Sequence, residues 1–159
     1  MMPGTKSFPR RFLIPTDGGL ASAAAARLGL RLARALGASV RVLSVVDPQM
    51  VYRFHRLSSP EPRAELEREA HAAVAAVARE ARRLGVPCQT TVREGPVSGT
   101  ILDEARKSRP GLLVLGTRGH TGLARVFLGS VAAAVAARAP CPVLLSPPAA
   151  HASRGRKRS

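Results

Sequence analysis

Tryptophan is absent from this chain, tyrosine occurs once, and aromatic residues make up only 3% of it. Surfaces that stack single-stranded bases are built from such rings, so their scarcity argues against that kind of binder. The core has to be assembled from Val, Leu, Ile and Ala, a palette suited to a parallel sheet covered by helices. Cysteine is nearly absent too. Cys88 and Cys141 lie at separate strand-edge positions beside Pro87, Pro140 and Pro142. That excludes a disulfide scaffold and any metal-type pair spacing, and they read as buried free thiols in a reducing compartment. Long apolar runs are missing as well: nothing approaches the ~18 residues that span a bilayer. Met1 to Arg11 carries positive charge but no apolar leader segment, so a cytoplasmic protein without a membrane role is expected.

Negative charge is the last scarcity. Ten acidic residues face 25 basic ones, a net charge of +15, and Lys6, Lys107 and Lys157 are the only lysines. Such a balance implies attraction to polyanions: ATP, nucleic acid, polyphosphate or anionic lipid. A GC-rich codon composition raises Arg, Ala, Gly and Pro together and accounts for the same excess.

At 159 residues with 45% hydrophobic content, the chain fits one compact domain with a real core. Phe12 to Gly19 reads as a short buried strand ending in a turn. Ser22 to Leu36 reads as a helix with Ala25, Leu28, Leu32 and Ala35 on one face and Gly37 as its stop. Val40 to Val46 is a second strand, closed by Asp47-Pro48, and Met50 to Ser59 reads as irregular. Pro60 to Leu84 forms a long helix capped by Ser59, with Leu66, Ala70, Val74, Val77, Ala81 and Leu84 as its core stripe. Glu61, Glu65 and Glu67 suit its positive end, and Arg82, Arg83 and Gly85 suit its close. Val86 to Glu94 is a third strand; a short helix capped by Ser98 carries Ile101, Leu102 and Ala105. Leu112 to Leu115 is the fourth strand, Val131 to Ala139 a helix, and Pro142 to Ser146 the fifth strand. No internal repeat is present.

This alternation predicts an α/β fold: a doubly wound, mostly parallel five-stranded sheet with helices on both faces, Rossmann-like in architecture. Ligands of such sheets bind beyond the carboxyl ends of the strands, at the topological switch point. Asp17, Val45 and Gly116 fall at such ends. Residues 11–148 make the domain, 1–10 a flexible basic N-terminus, and 149–159 a disordered tail with Arg154, Arg156, Lys157 and Arg158.

The run Gly116-Thr-Arg-Gly-His-Thr-Gly-Leu-Ala-Arg-Val-Phe-Leu-Gly-Ser130 carries the chemistry. A strand feeds a glycine-rich loop, and the loop feeds a helix whose N-terminus can present N–H groups to an anion. Ser130 suits the N-cap and can offer its hydroxyl to a phosphate oxygen. The spacing fits neither the Walker sequence nor the dinucleotide fingerprint.

That motif resembles the ATP-binding loop of the universal stress protein family. Ile14-Pro15-Thr16-Asp17-Gly18, Leu43-Ser44-Val45-Val46-Asp47-Pro48, Arg93-Glu94-Gly95 and Pro140-Cys141-Pro142-Val143-Leu144-Leu145 resemble other family segments in the same order. The resemblance covers Arg11 to Ser146. It implies that Asp17 accepts from an adenine amino group, that Val45 gives backbone contacts, and that Pro15 and Thr16 line the base. It further implies that Leu115, Gly116, Arg118 and Gly119 hold the ribose and first phosphates, and that Gly129, Ser130 and Val131 hold the outer ones. ATP, or another adenine nucleotide, would come with Mg²⁺ or Mn²⁺ on its phosphates. In this family the fifth strands of two subunits pair, which implies a homodimer through the Val143–Leu145 edge strand.

Each residue also has a plainer reading. Asp17 suits a cap on the first turn, Arg118 and Arg125 suit solvated loop charges, and His120 suits an idle loop position. Gly19, Gly111 and Pro96-Val97 depart from the family pattern and put local caps in question. The leading expectation is a nucleotide-responsive stress or regulatory module. A slow ATPase or autokinase is the alternative, and a nonspecific polyanion or nucleic-acid binder is the third.

Overall fold

A computed structural model describes residues 10–54, 61–117 and 128–148. The elements follow in the order β1 (Arg11–Pro15), α1 (Leu20–Leu36), β2 (Ser39–Val46), α2 (Pro48–Phe54), α3 (Pro62–Leu84), β3 (Cys88–Glu94), α4 (Val97–Ser108), β4 (Leu112–Gly116), α5 (Ser130–Arg138) and β5 (Val143–Ser146). The sheet runs β3-β2-β1-β4-β5, and every neighbouring pair is parallel. The expected α/β architecture is the observed one. Chain order reverses between β1 and β4, which makes that junction the switch point.

Side chains alternate across the strands. Phe12, Ile14, Val40, Val42 and Val114 face α1 and α3, while Leu13, Leu43, Leu113 and Leu115 face α4 and α5. The two layers hold almost all the fully buried side chains, and none of them is a large aromatic except Phe12. At the end of β3 the outward face turns polar. Glu104 on α4 is 3% exposed and accepts from Arg41 at 2.6 Å, with Arg93 Nε at 3.6 Å from its other oxygen. Burying that carboxylate is tolerable because two guanidinium groups answer it.

Several expectations need correction. The stretch after β2 is not irregular at its start: Pro48–Phe54 is helical. Asp47-Pro48 ends one element and begins another, because Pro fits a first helical turn and Asp47 accepts from the Gln49 N–H at 2.9 Å. The buried face of α1 is Ser22, Ala25, Ala26, Gly29, Leu30 and Ala33, rotated from the expected stripe. Small residues let the helix lie close on the sheet; a Cβ on Gly29 would come 2.7 Å from Ile14 Cδ1. Leu28 and Leu32 are only half-buried and Ala35 is exposed.

α3 begins at Pro62 with Glu61 at its N-cap; the expected cap Ser59 and Pro60 lie outside the described residues. α4 begins at Val97, so Ser98 sits inside its first turn rather than capping it. α5 begins at Ser130 with Gly129 as N-cap, one residue earlier than expected. β3 and β5 start at Cys88 and Val143 rather than at Val86 and Pro142. Residues 1–9 and 149–159 lie outside the described residues. No helix among the described residues is long and apolar enough to cross a membrane. Both cysteines are free and half-buried rather than fully buried.

Candidate functional site

The site is assembled where β1 stops short of its neighbours. The β1–β2 ladder ends at Pro15↔Leu43, with the Thr16 N–H donating to Leu43 C=O at 2.8 Å. β2 continues to Val46, whose C=O turns the other way and accepts from Gly95 N–H at 3.0 Å. Main-chain groups in a parallel strand alternate sides every residue. Val45, two residues past the last β1 pair, therefore turns its N–H and C=O towards the space that β1 has vacated. Its side chain packs into the layer under α4 and α5.

β1 gives up that space because Thr16-Asp17-Gly18-Gly19 turns sharply into α1. Gly18 has φ +78°, in the region that favours glycine, and a Cβ there would press Ala73 at 3.3 Å. Asp17 Oδ1 accepts from the Gly19 N–H at 2.8 Å and from the Ser22 hydroxyl at 2.6 Å. With the Ser22 proton committed to the carboxylate, the Thr16 hydroxyl donates to Ser22 Oγ at 3.2 Å and accepts from Gly18 N–H at 3.2 Å. The network satisfies the buried hydroxyls of Thr16 and Ser22 and does the capping that Gly19 cannot do with a side chain. Asp17 is thus a turn-former, and it remains solvent-exposed at the carboxyl edge. A carboxylate has about four lone-pair positions, so the turn does not exhaust its acceptor capacity.

Across the switch point, β4 ends at Gly116, paired with Ser146 of β5. A Cβ on Gly116 would lie 3.1 Å from the Ala21 carbonyl carbon and oxygen and 3.3 Å from the Ser22 nitrogen. Glycine is needed there because the first turn of α1 packs directly on the end of β4. Thr117 N–H then donates to Ser146 C=O at 3.0 Å, and Gly129 N–H donates back to Thr117 C=O at 2.8 Å. The loop between them thus returns to its own starting point.

α5 departs from that closure. Its first internal bond runs from Ala133 N–H to Gly129 C=O at 2.9 Å. The N–H groups of Ser130, Val131 and Ala132 precede it and have no partner within the helix. The first turn contains no acidic residue, and no side chain caps it. An anion placed there meets N–H donors and the positive end of the dipole. The Gly129 N–H is already used in the loop closure, so Ser130 and Val131 are the better donors of the expected trio.

Of the expected residues, Pro15, Thr16, Asp17 and Val45 converge from β1 and β2, and Leu115, Gly116, Gly129, Ser130 and Val131 from β4 and α5. Pro15, Thr16 and Leu115 are buried behind the surface they help to shape. Arg118, Gly119, His120 and Arg125 lie outside the described residues. Sequence reasoning missed Ser22, which holds Asp17 in place; a serine one turn after an Asp-Gly-Gly segment was the available signal. Among the described residues no three His, Cys, Asp or Glu gather as a metal site. The donor set suits phosphate oxygens, not a bare cation.

A family model described as the universal stress protein family matches residues 9–147. A universal stress protein of Methanocaldococcus jannaschii is 36% identical over 137 residues, covering 86% of this chain and 81% of that one. Among solved structures, a universal stress family protein of Arabidopsis thaliana with AMP bound superposes with TM-score 0.65 at 18% identity, covering 89% of this chain and 94% of that one. The universal stress protein of Archaeoglobus fulgidus in complex with dAMP gives TM-score 0.65 at 19% identity, covering 87% and 98%.

Proposed function

The chain belongs to the universal stress protein family, and on that premise we propose that it binds an adenine nucleotide, ATP first among them, as a nucleotide-responsive regulatory module. The observation that carries this reading is the convergence of Val45, Asp17 and the α5 N-terminus at the β1–β4 switch point. The base lies along the end of β2, where Val45 offers a donor and an acceptor and Asp17 accepts from the exocyclic amino group. The phosphates run over the end of β4 towards Ser130 and Val131, with Arg118 and Gly119 on the intervening loop. Mg²⁺ or Mn²⁺ would be held by the phosphates. The structures of the Arabidopsis thaliana protein with AMP bound and of the Archaeoglobus fulgidus protein in complex with dAMP support the adenine assignment. β5 lies at the sheet edge with Val143, Leu144 and Leu145 half-buried, and pairing with a second copy would cover it.

The test replaces Ser130 by Pro. Proline is favoured at the first helical position, and Gly129 already has φ −57° and ψ 152°, the conformation required before proline. The variant keeps the helix and removes one N–H and one hydroxyl from the phosphate end. Calorimetry on nucleotide-stripped protein with Mg²⁺ should show ATP affinity weakened about tenfold or more, since hydrogen bonds to charged groups contribute about 1.5–3 kcal/mol. AMP affinity should change little. Equal loss for both nucleotides, or no loss, would remove α5 from the phosphate site; absence of ATP binding by the wild type would end the nucleotide reading.

A further inference from the structure

The edge of the sheet opposite the candidate site collects positive charge. All strands are parallel, so the helices that connect them end at the strands' amino edge. α1 ends before β2, α3 before β3, α4 before β4 and α5 before β5. Their last turns bring Arg34, Arg82, Lys107 and Arg138 to that edge, the α4 C-cap adds Arg109, and the start of β1 adds Arg10. All six are exposed, and none forms an ion pair among the described residues. The acids near them on α3 and α4 are already engaged: Glu80 with Arg83, Asp103 with Arg106, and Glu104 with Arg41 and Arg93.

Compensation of helix dipoles explains only part of this. Each helix end carries roughly half a negative charge, so four ends carry roughly two. Six unpaired cations exceed that, and Arg11 already donates to the Ser108 carbonyl of α4 at 2.9 Å. Arg109 makes the excess clearer. It holds the left-handed C-cap position, φ 48°, that Gly37 and Gly85 hold at the ends of α1 and α3. Glycine is the residue that conformation favours, and here the chain places a guanidinium in it.

We infer that this amino edge is a docking surface for the phosphate backbone of a nucleic-acid duplex, bound without regard to sequence. Four inter-strand gaps spread its charge over about 19 Å, and a duplex presents one phosphate charge per roughly 1.7 Å of axis. Five of the six cations are arginines, whose planar fork matches phosphate oxygens. The only large apolar side chain exposed among these last turns is Leu36, at 39%. Among the described residues the edge therefore offers neither an aromatic platform for unpaired bases nor a wedge for a bilayer. β5, the last strand, ends with Ser146 at the opposite edge.

The experiment is fluorescence anisotropy with the full-length protein and a short mixed-sequence DNA duplex, titrated in salt from about 50 mM upward. Wild type should bind at low salt. The double variant Arg34→Glu/Arg138→Glu should bind at least about tenfold more weakly, with a salt slope shallower by about two. Arg109→Gly should lower the slope by about one while its melting temperature stays level or rises, a combination that a purely structural role for Arg109 does not produce. ATP affinity should be unchanged in both variants. The inference is overturned if wild type does not bind the duplex. It is equally overturned if binding disappears on removing residues 149–159 but survives the edge variants. Edge-dependent binding to phosphatidylserine vesicles without duplex binding would also overturn it, by assigning the surface to a membrane.

Discussion

At the carboxyl edge of the sheet, the first turns of α1, α4 and α5 contain no acidic residue. At the amino edge, the last turns of α1, α3, α4 and α5 each contain at least one arginine. The dipoles of α1, α3, α4 and α5, which each lead back to a parallel strand, point the same way, so the two edges begin with opposite partial charge. The chain answers the negative edge generously with its own side chains; at the positive edge Asp17 serves the start of α1, Asp47 that of α2 and Glu65 that of α3, while α4 and α5 have no carboxylate in their first turns. A ligand anion at the start of α5 therefore meets a helix end whose dipole no carboxylate of its own first turn has satisfied. Backbone geometry sets the two poles; side-chain choice decides which of them stays open to a nucleotide.

The glycines divide along the same line, and they give the largest expected effect. Gly116→Val drives a side chain into the α1 backbone at the carboxyl edge. Backbone cannot rotate away, so overpacking should cost about 3 kcal/mol or more, and thermal melting should show a large fall. Gly37→Ala at the amino edge meets nothing within 4 Å and carries only the penalty of its φ of +64°, about 1 kcal/mol. Equal losses in the two variants would break the distinction between a packed carboxyl edge and an open amino edge. Gly116→Val is for the same reason a poor probe of nucleotide binding, because it reports on folding first.

A smaller effect tests the double duty of Asp17. Asp17→Asn keeps an oxygen for the Gly19 N–H and Ser22 hydroxyl but replaces the other carboxylate oxygen by a donor. Competition between ATP and GTP should then show the preference for adenine reduced about tenfold, the equivalent of one lost hydrogen bond of about 1.4 kcal/mol. Melting should shift by about 1 kcal/mol or less. An unchanged ATP-to-GTP preference would leave Asp17 as a turn residue only.

The smallest effect concerns the amino edge and its two thiols, Cys88 at the start of β3 and Cys141 just before β5. Positive charge close to a thiol would favour thiolate, whereas partial burial pushes both of these thiols above their usual pKa. Burial prevails. Iodoacetamide should therefore alkylate both slowly at neutral pH, with the rate still rising at pH values where a free thiol, near 8.5, has levelled off. Rapid labelling at pH 7 would show that the positive edge reaches them after all.

The sheet, its parallel sense and the position of the switch point were legible because strand-forming runs alternate with helical ones and stop at glycine. The position of Asp17, Val45 and Gly116 at the carboxyl ends of their strands was legible for the same reason. The burial of α1 was not. Hydropathy favours Leu28 and Leu32 as the inward face, but close approach to Ile14 and Val114 selects Ala26, Gly29 and Ala33, and shape outweighs hydropathy there. α2 was hidden by a dipeptide with two meanings, since Asp-Pro both closes a strand and opens a helix. The sequence motif places Gly116 at the mouth of a glycine-rich loop; the neighbour that favours glycine there is the α1 backbone at Ala21 and Ser22, far away in sequence and invisible to local patterning.

The hydrogen bond from Gly129 to Thr117 has a consequence for how this region can diverge. Gly129 is clasped to Thr117, and Thr117 to Ser146, so the frame fixes both ends of whatever lies between the stems. Doubling the length of a loop whose ends are fixed adds only about 0.6 kcal/mol of closure entropy. Insertions and replacements between the stems are thus nearly invisible to the stability of the sheet. The segment is free to change its chemistry, and with it whatever the protein answers to, while the scaffold beneath it stays as it is.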